Sequence, residues 1–272
     1  MSLFQYSFFQ NAMIGSFFLC IACGIIGSYI VVRRLAFISG GITHASFGGL
    51  GLGFWLGFNP ILSALIFSVF SALGVEWLSK KQGVREDSAI AAVWALGMAL
   101  GVIGIALTPG YAPNISAYLF GNILTVTHQD VLFSGIFAAV LTVLFIKFFR
   151  LILYTAFDSE FVRTKGVKTS LVGHLMMLAI AITIVLSIRL TGIMLLTSLL
   201  TIPPMTANIF TSRFKNIIFY SVLIGIISCF SGLIISYYLN IPSGATVVFV
   251  QAILFLAGKL LAFFHRKTIK QR

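Results

Sequence analysis

Apolar runs close to 20 residues long recur along this 272-residue chain, and the short segments between them hold most of its charges. About 20 apolar residues in a helix are needed to cross a hydrocarbon layer about 30 Å thick. In lipid every backbone N–H and C=O must also be paired within the protein. Together these requirements specify an all-α polytopic membrane protein. Composition agrees: 59% of residues are hydrophobic and 9% charged, where soluble domains carry about 25% charged residues.

The net charge of +12 would suit nucleic acid, but its placement argues against that partner. Basic residues gather between the apolar runs: Arg33 and Arg34; Lys80, Lys81 and Arg85; Lys147 and Arg150; Arg163, Lys165 and Lys168; Arg213 and Lys215; and the tail from His265. Basic loops of this kind stay in the cytoplasm, whereas Arg189 falls at an expected outer end. The runs cover residues 11–32, 36–57, 61–79, 88–107, 131–150, 170–188, 192–210, 217–239 and 245–264. Nine crossings follow, or eight if one segment is re-entrant, with the N-terminus outside and the C-terminus cytoplasmic. Residues 118–127 read either as a re-entrant piece or as an early start of the next helix. Residues 1–10, rich in Phe and Tyr, read as an interfacial lead-in facing lipid headgroups. No basic region precedes the first run, so a cleaved signal peptide is not expected. The whole chain, residues 1–272, reads as a single transmembrane domain with a mixed-charge cytoplasmic loop at residues 154–169.

The sequence holds no phosphate-binding G-x-x-x-x-G-K-[ST], no H-E-x-x-H and no G-x-S-x-G. Its six carboxylates, Glu76, Glu86, Asp87, Asp130, Asp158 and Glu160, lie in loops or near span ends. None sits at a span centre to relay protons. A non-enzymatic transporter subunit powered from another chain fits better than an ion-coupled carrier or an intramembrane enzyme. Cys20, Cys23 and Cys229 lie in apolar spans, where a structural role is expected. The T-H-Q-D around His128 and Asp130 reads as a solvated loop rather than a metal entrance.

Two spans stand out. In F-I-S-G-G-I-T-H-A-S-F-G-G, His44 lies about 12 Å into the layer at 1.5 Å per residue. Gly40, Gly41 and Gly48 share its face, leaving room for a close helix or for a solute beside the imidazole. Gly49, Gly53 and Gly57 form a small-residue seam. A plain hydrogen bond from His44 to a neighbouring helix is the alternative to a pathway role. In the span 192–210, Thr197, Thr201 and Asn208 fall near one face, and Pro203 and Pro204 are expected to break the backbone ladder. Thr43 joins this group as a path-lining candidate. In the central loop Phe157 and Phe161 are four residues apart. Asp158 and Glu160 would begin a short helix that Arg163 and Lys165 follow, a charge order its dipole favours.

Several stretches now match a known family: R-R-L-A-F-I-S-G-G-I-T-H-A (33–45), R-E-D-S-A-I-A (85–91), Y-L-F-G-N-I-L (118–124), F-D-S-E-F-V-R-T-K-G-V (157–167), L-L-T-S-L-L-T-I-P-P-M-T-A (195–207) and N-I-P-S-G-A-T (240–246). The chain resembles the permease subunit of bacterial zinc, manganese and iron ABC importers. The resemblance implies the ABC metal-importer permease fold in a bacterial plasma membrane and a permease homodimer. It also implies a cytoplasmic ATPase subunit and an extracytoplasmic metal-binding protein as partners. No permanent cofactor is implied; a divalent metal, zinc or manganese, is the cargo. Phe157, Asp158, Glu160, Phe161, Arg163 and Gly166 correspond to the ATPase-coupling segment, with Phe161 as anchor. Residues 242–246 would help shape an outer gate or dock. His44 corresponds to a transit ligand for the metal. Family members often carry aspartate four residues before that histidine, and here the position is Gly40. Loss of a carboxylate oxygen favours zinc, since imidazole suits zinc and carboxylate suits manganese. A permease for a chelated metal is the nearest alternative, and an ion-coupled secondary transporter a more distant one.

Overall fold

The computed structural model describes residues 5–110 and 126–270, which form ten helices and no strands. In order these are α1 (Ser7–Val32), α2 (Ala36–Leu56), α3 (Pro60–Gln82), α4 (Glu86–Leu107), α5 (His128–Lys147), α6 (Phe149–Phe157), α7 (Ser159–Thr164), α8 (Thr169–Phe210), α9 (Phe214–Leu239) and α10 (Ser243–Lys270). Eight described segments are long and apolar enough to cross a bilayer, counting α8 as two. Of the described helices with 18 or more residues, α2 alone stands outside that set, as long as several of them but richer in glycine, serine and threonine. Thirteen of its 21 residues are buried, so α2 is screened from lipid by protein and does not need an apolar surface. Among the described residues the choice between eight and nine crossings therefore turns on α2. The segment 118–125, including Y-L-F-G-N-I-L, lies outside the described residues.

Local chemistry explains the ends of the helices. Pro60 opens α3 behind Asn59, whose Oδ1 accepts hydrogen bonds from the Ile61 and Leu62 amides. Glu86 and Asp87 occupy the first turn of α4, where the helix dipole favours carboxylates. Thr127 and Asp130 form a reciprocal capping box at the start of α5. Asp130 thus serves helix initiation within T-H-Q-D. Phe9 is fully buried in α1, so the aromatic lead-in packs partly into the core and not wholly at an interface.

The expected crossings 170–188 and 192–210 are both present within α8, and what departs from expectation is the behaviour of the prolines. As one straight helix the 42 residues of α8 would measure about 63 Å, roughly twice the hydrocarbon layer. The prolines do not divide it: Pro203 and Pro204 lie inside continuous helix. The break is at Gly192, whose φ of 71° and ψ of 173° fall in a region essentially restricted to glycine. The first half starts beside the C-terminal part of α3, where His174 meets Glu76, and ends beside Asn59 and Ile61 at the N-terminal end of α3. The second half returns toward the starting end, where Phe214 packs on Phe149. Gly192 is therefore where the chain reverses.

The prolines act on packing. Pro204 has no N–H to donate to the Leu200 carbonyl four residues back. That oxygen lies over Gly27 of α1, so close that a Cβ there would sit 2.5 Å from it. Elsewhere α1 meets α9 at Gly24 and Val222, while Cys20 and Cys229 approach to 3.5 Å between sulfurs. A second group is built around α2, with α4 interlocked along Gly41, Gly48, Gly97, Gly101 and Gly104, and α3 seated on Gly49 and Gly53. Both groups rest on α8.

Candidate functional site

Small residues on α2 bring its neighbours close, and this leaves one side of the helix uncovered. A Cβ at Gly41 would meet Ile90, one at Gly48 would meet the Gly97 backbone, and ones at Gly49 and Gly53 would meet α3. At Gly40 a Cβ would meet nothing within 4 Å. The shared face read from the sequence is thus divided. Gly41 and Gly48 serve α4, while Gly40 alone borders open space next to His44.

That space is a cleft of about 660 Å³ between α2, the second half of α8, and α10. Ser39, Gly40 and His44 line one wall; Thr197, Ser198 and Thr201 line the facing one; Val248 and Phe249 of α10 complete it. Fold topology has brought His44 together with Thr197 and Thr201, which lie more than 150 positions away in sequence. The His44 ring is partly buried and stacks on Trp94 of α4 at 4.3 Å between centroids and 7° between planes. Its buried Nδ1 has no hydrogen-bond partner among the described residues. The expected alternative, a hydrogen bond to a neighbouring helix, is not made through that nitrogen. Stacking fixes the plane of the imidazole without occupying its lone pair.

The hydroxyls are held in place from within their own helices. Thr197 donates to the Met194 carbonyl at 2.9 Å and Thr201 to the Thr197 carbonyl at 2.8 Å. Each keeps oxygen lone pairs able to face a cation or its water. Thr43, named beside them from the sequence, is fully buried, donates to the Ser39 carbonyl and is not among the residues lining the cleft. Asn208 is exposed on α8, seven residues beyond Thr201, and also lies outside the cleft lining. Among the described residues no three His, Cys, Asp or Glu side chains converge as a metal cage. One imidazole and several hydroxyls can hold a divalent ion briefly, as a transit position requires.

Two residues at the site, Trp94 and Ser198, carried little sequence signal, and a third polar residue, Gln251 on α10, lies outside the cleft lining. Trp94 has no motif, and its place under His44 depends on how α4 packs. Ser198 differs from its threonine neighbours only in facing the cleft from a buried position. Gln251 is the one amide in the run 245–264; it is fully buried, with neither side-chain heteroatom partnered among the described residues. A polar group placed so within an apolar span is the kind of signal that marks function.

The second site is the central loop. It is two helices: α6 ends at Phe157, Asp158 interrupts with φ −145° and ψ 82°, and α7 begins at Ser159. Phe157 and Phe161 therefore do not lie on one continuous helix, although both are exposed. Asp158 caps α7, its Oδ1 accepting from the Phe161 amide at 2.9 Å. Val162 is the buried anchor of α7. Glu160, Phe161, Arg163 and Lys165 remain outside, with the Lys165 ammonium 5.6 Å from the centre of the Phe161 ring. Gly166 closes the segment with a φ of 78°. Arg33, at the end of α1, donates to the Ala156 carbonyl at 3.1 Å and so ties this segment to the bundle.

Comparison with known proteins adds four findings. A family model described as the ABC 3 transport family matches residues 5–262. An uncharacterized membrane protein of Synechocystis sp. is 38% identical over 260 residues, covering 95% of this chain and 92% of that protein. The manganese transport system membrane protein MntC of Listeria monocytogenes is 31% identical over 260 residues, covering 96% and 92%. Among solved structures, PsaBC from Streptococcus pneumoniae in complex with Fab superposes with a TM-score of 0.86 at 28% identity, over 94% of this chain and 92% of that one.

Proposed function

This chain belongs to the ABC 3 transport family, and from that premise we propose that it is the membrane permease of an ATP-driven importer of divalent metal ions. The observation that carries the reading is the cleft between α2, α8 and α10. There an imidazole stacked on Trp94, whose buried Nδ1 has no partner among the described residues, shares a cleft with threonine and serine hydroxyls. Two copies of the chain would set these clefts opposite each other, so that the ion passes between them. Site residues on this reading are His44 as transit ligand, with Thr197, Thr201 and Ser198 along the path.

The energy source is a separate cytoplasmic ATPase, since the sequence holds no phosphate-binding loop of its own. Its dock is α7, where Phe161 stands 52% exposed on a helix anchored to the bundle by the buried Val162. An extracytoplasmic metal-binding protein delivers the ion at the far end. The basic end of the bundle, and with it the C-terminus, faces the cytoplasm of a bacterial cell. Membership of an ABC family speaks against an ion-coupled carrier.

Two cargoes have specific support. Imidazole with hydroxyls, lacking a carboxylate in the cleft, suits zinc better than manganese. The name of the Listeria relative points to manganese. Uptake of each metal in competition with the other, in cells whose only importer contains this chain, decides between them. In the same cells His44→Ala should lower uptake by about tenfold, equivalent to about 1.4 kcal/mol of lost ion stabilisation, while the ATPase still co-purifies. Unchanged uptake removes His44 from the path.

A further inference from the structure

We propose that Arg33 is a positioning residue: it fastens the α6–α7 segment to the turn between α1 and α2, and so passes movement of that segment to the helix that carries His44. This role presupposes the proposed function, in which α7 docks the ATPase. Arg33 Nη1 donates to the Ala156 carbonyl oxygen at 3.1 Å. Ala156 lies in the last turn of α6, which ends at Phe157. Carbonyls in a last turn lack an intrahelical donor, and they form the negative end of the helix dipole. A guanidinium from another helix supplies both the missing donor and the opposite charge. The bond falls just before Asp158, where the backbone leaves helical geometry ahead of α7.

The other end of this connection is stiff. Only Arg33, Arg34 and Leu35 join α1 to α2. The Leu35 amide donates to the Ile30 carbonyl at 2.8 Å and the Arg34 amide to the Val31 carbonyl at 3.1 Å, the two bonds that close a helix in a Schellman motif. Arg34 accordingly takes a φ of 60°, at a position where glycine is usual. The Leu35 carbonyl then accepts from the Ser39 amide in the first turn of α2. With hydrogen bonds on both sides, the turn passes a displacement of Arg33 into α2 with little slack. His44 follows about 12 Å along the axis of α2. Arg33 and Thr155 both line a cavity of about 560 Å³ at this end of the bundle. Where the cavity interrupts packing, a directed bond holds α6 to α1. The chain itself leads from α7 into α8, so the Arg33 bond adds a second route, to the opposite wall of the cleft.

Hydrogen–deuterium exchange of the full chain in lipid nanodiscs, with the melting temperature recorded alongside, tests the fastening without reference to transport. Arg33→Met, which keeps an unbranched stem and removes the donors, should speed exchange across residues 152–164 by about tenfold. The rest of the bundle should exchange at its native rate. Arg33→Lys, which can still donate to a carbonyl, should keep the native rate throughout. In cells whose only importer contains this chain, Arg33→Met should still co-purify the ATPase yet lower uptake of Zn²⁺ or Mn²⁺ by about tenfold. Arg33→Lys should restore most of that uptake. Unchanged exchange in Arg33→Met overturns the proposal. So does faster exchange with full uptake, which would make the bond a local brace. Faster exchange throughout the bundle, or a melting temperature lowered equally by both variants, also overturns it, by marking a general structural role. Failure of the proposed function reads differently: no ATPase then co-purifies with the native chain, and exchange still decides whether Arg33 fastens the segment.

Discussion

Gly40 shows how much chemistry one absent side chain can decide. It lies one helical turn before His44, and a Cβ there meets nothing within 4 Å. A carboxylate at this position would fit without displacing a neighbour and would stand on the same face as the imidazole. Gly40→Asp is therefore expected to shift preference toward manganese by about tenfold in competitive uptake, because carboxylate oxygen suits that ion. Folding should be unaffected; a variant that takes up both metals in the original ratio would show that the cleft does not select the ion. Gly27 is the opposite case. Its Cα faces the carbonyl that Pro204 leaves unpaired, and a Cβ would stand 2.5 Å from that oxygen. Gly27→Ala should lower stability by about 1–3 kcal/mol through overpacking, read as a lower melting temperature in detergent.

At the level of elements, the two spans of α8 were placed correctly from the sequence, and the misreading concerned the prolines. Two adjacent prolines suggested a further break within the second span, yet the helix runs through them, and the reversal between the spans is at Gly192. Prolines inside a helix remove donors but need not end it, and here the Leu200 carbonyl that loses its donor packs against Gly27 of α1. The backbone at Gly192 has no such latitude, because its dihedrals exclude a side chain. Gly192→Ala should cost about 1–3 kcal/mol and reduce the amount of folded protein recovered from membranes, as judged by gel filtration. A variant with wild-type yield and melting temperature would mean that the reversal is not confined to that residue. The central loop was read more closely: the capping role of Asp158 and the charge order in α7 follow from dipole and capping rules. The interruption between Phe157 and Phe161 does not, since spacing alone cannot distinguish one helix from two.

For the whole molecule, the cleft wall matters because it is open. Met194 and Phe249 flank it at 52% and 67% exposed, on the surface that a second copy would cover under the proposed function. If two chains face each other there, Met194→Cys should give a covalent dimer in membranes under mild oxidation. A cysteine on the far, lipid-facing side, Phe133→Cys on α5, should not. Failure of the first, or equal cross-linking by both, would place the dimer contact elsewhere.

What residue order alone determined here is the class, together with an expected orientation. Runs of lipid-soluble length require helices, and basic loops between them assign one end of the bundle, because both follow from transfer of local groups into a bilayer. His44 was also legible, as an ionisable group where such groups are costly. Only the tertiary structure decided which neighbours share its space. It placed Thr197 and Thr201 across from the imidazole, turned Thr43 away, put Trp94 under the ring and set Glu76 against His174. Those outcomes depend on how close glycine seams let α2, α3, α4 and α8 approach, a property of paired surfaces that no single stretch of the chain contains.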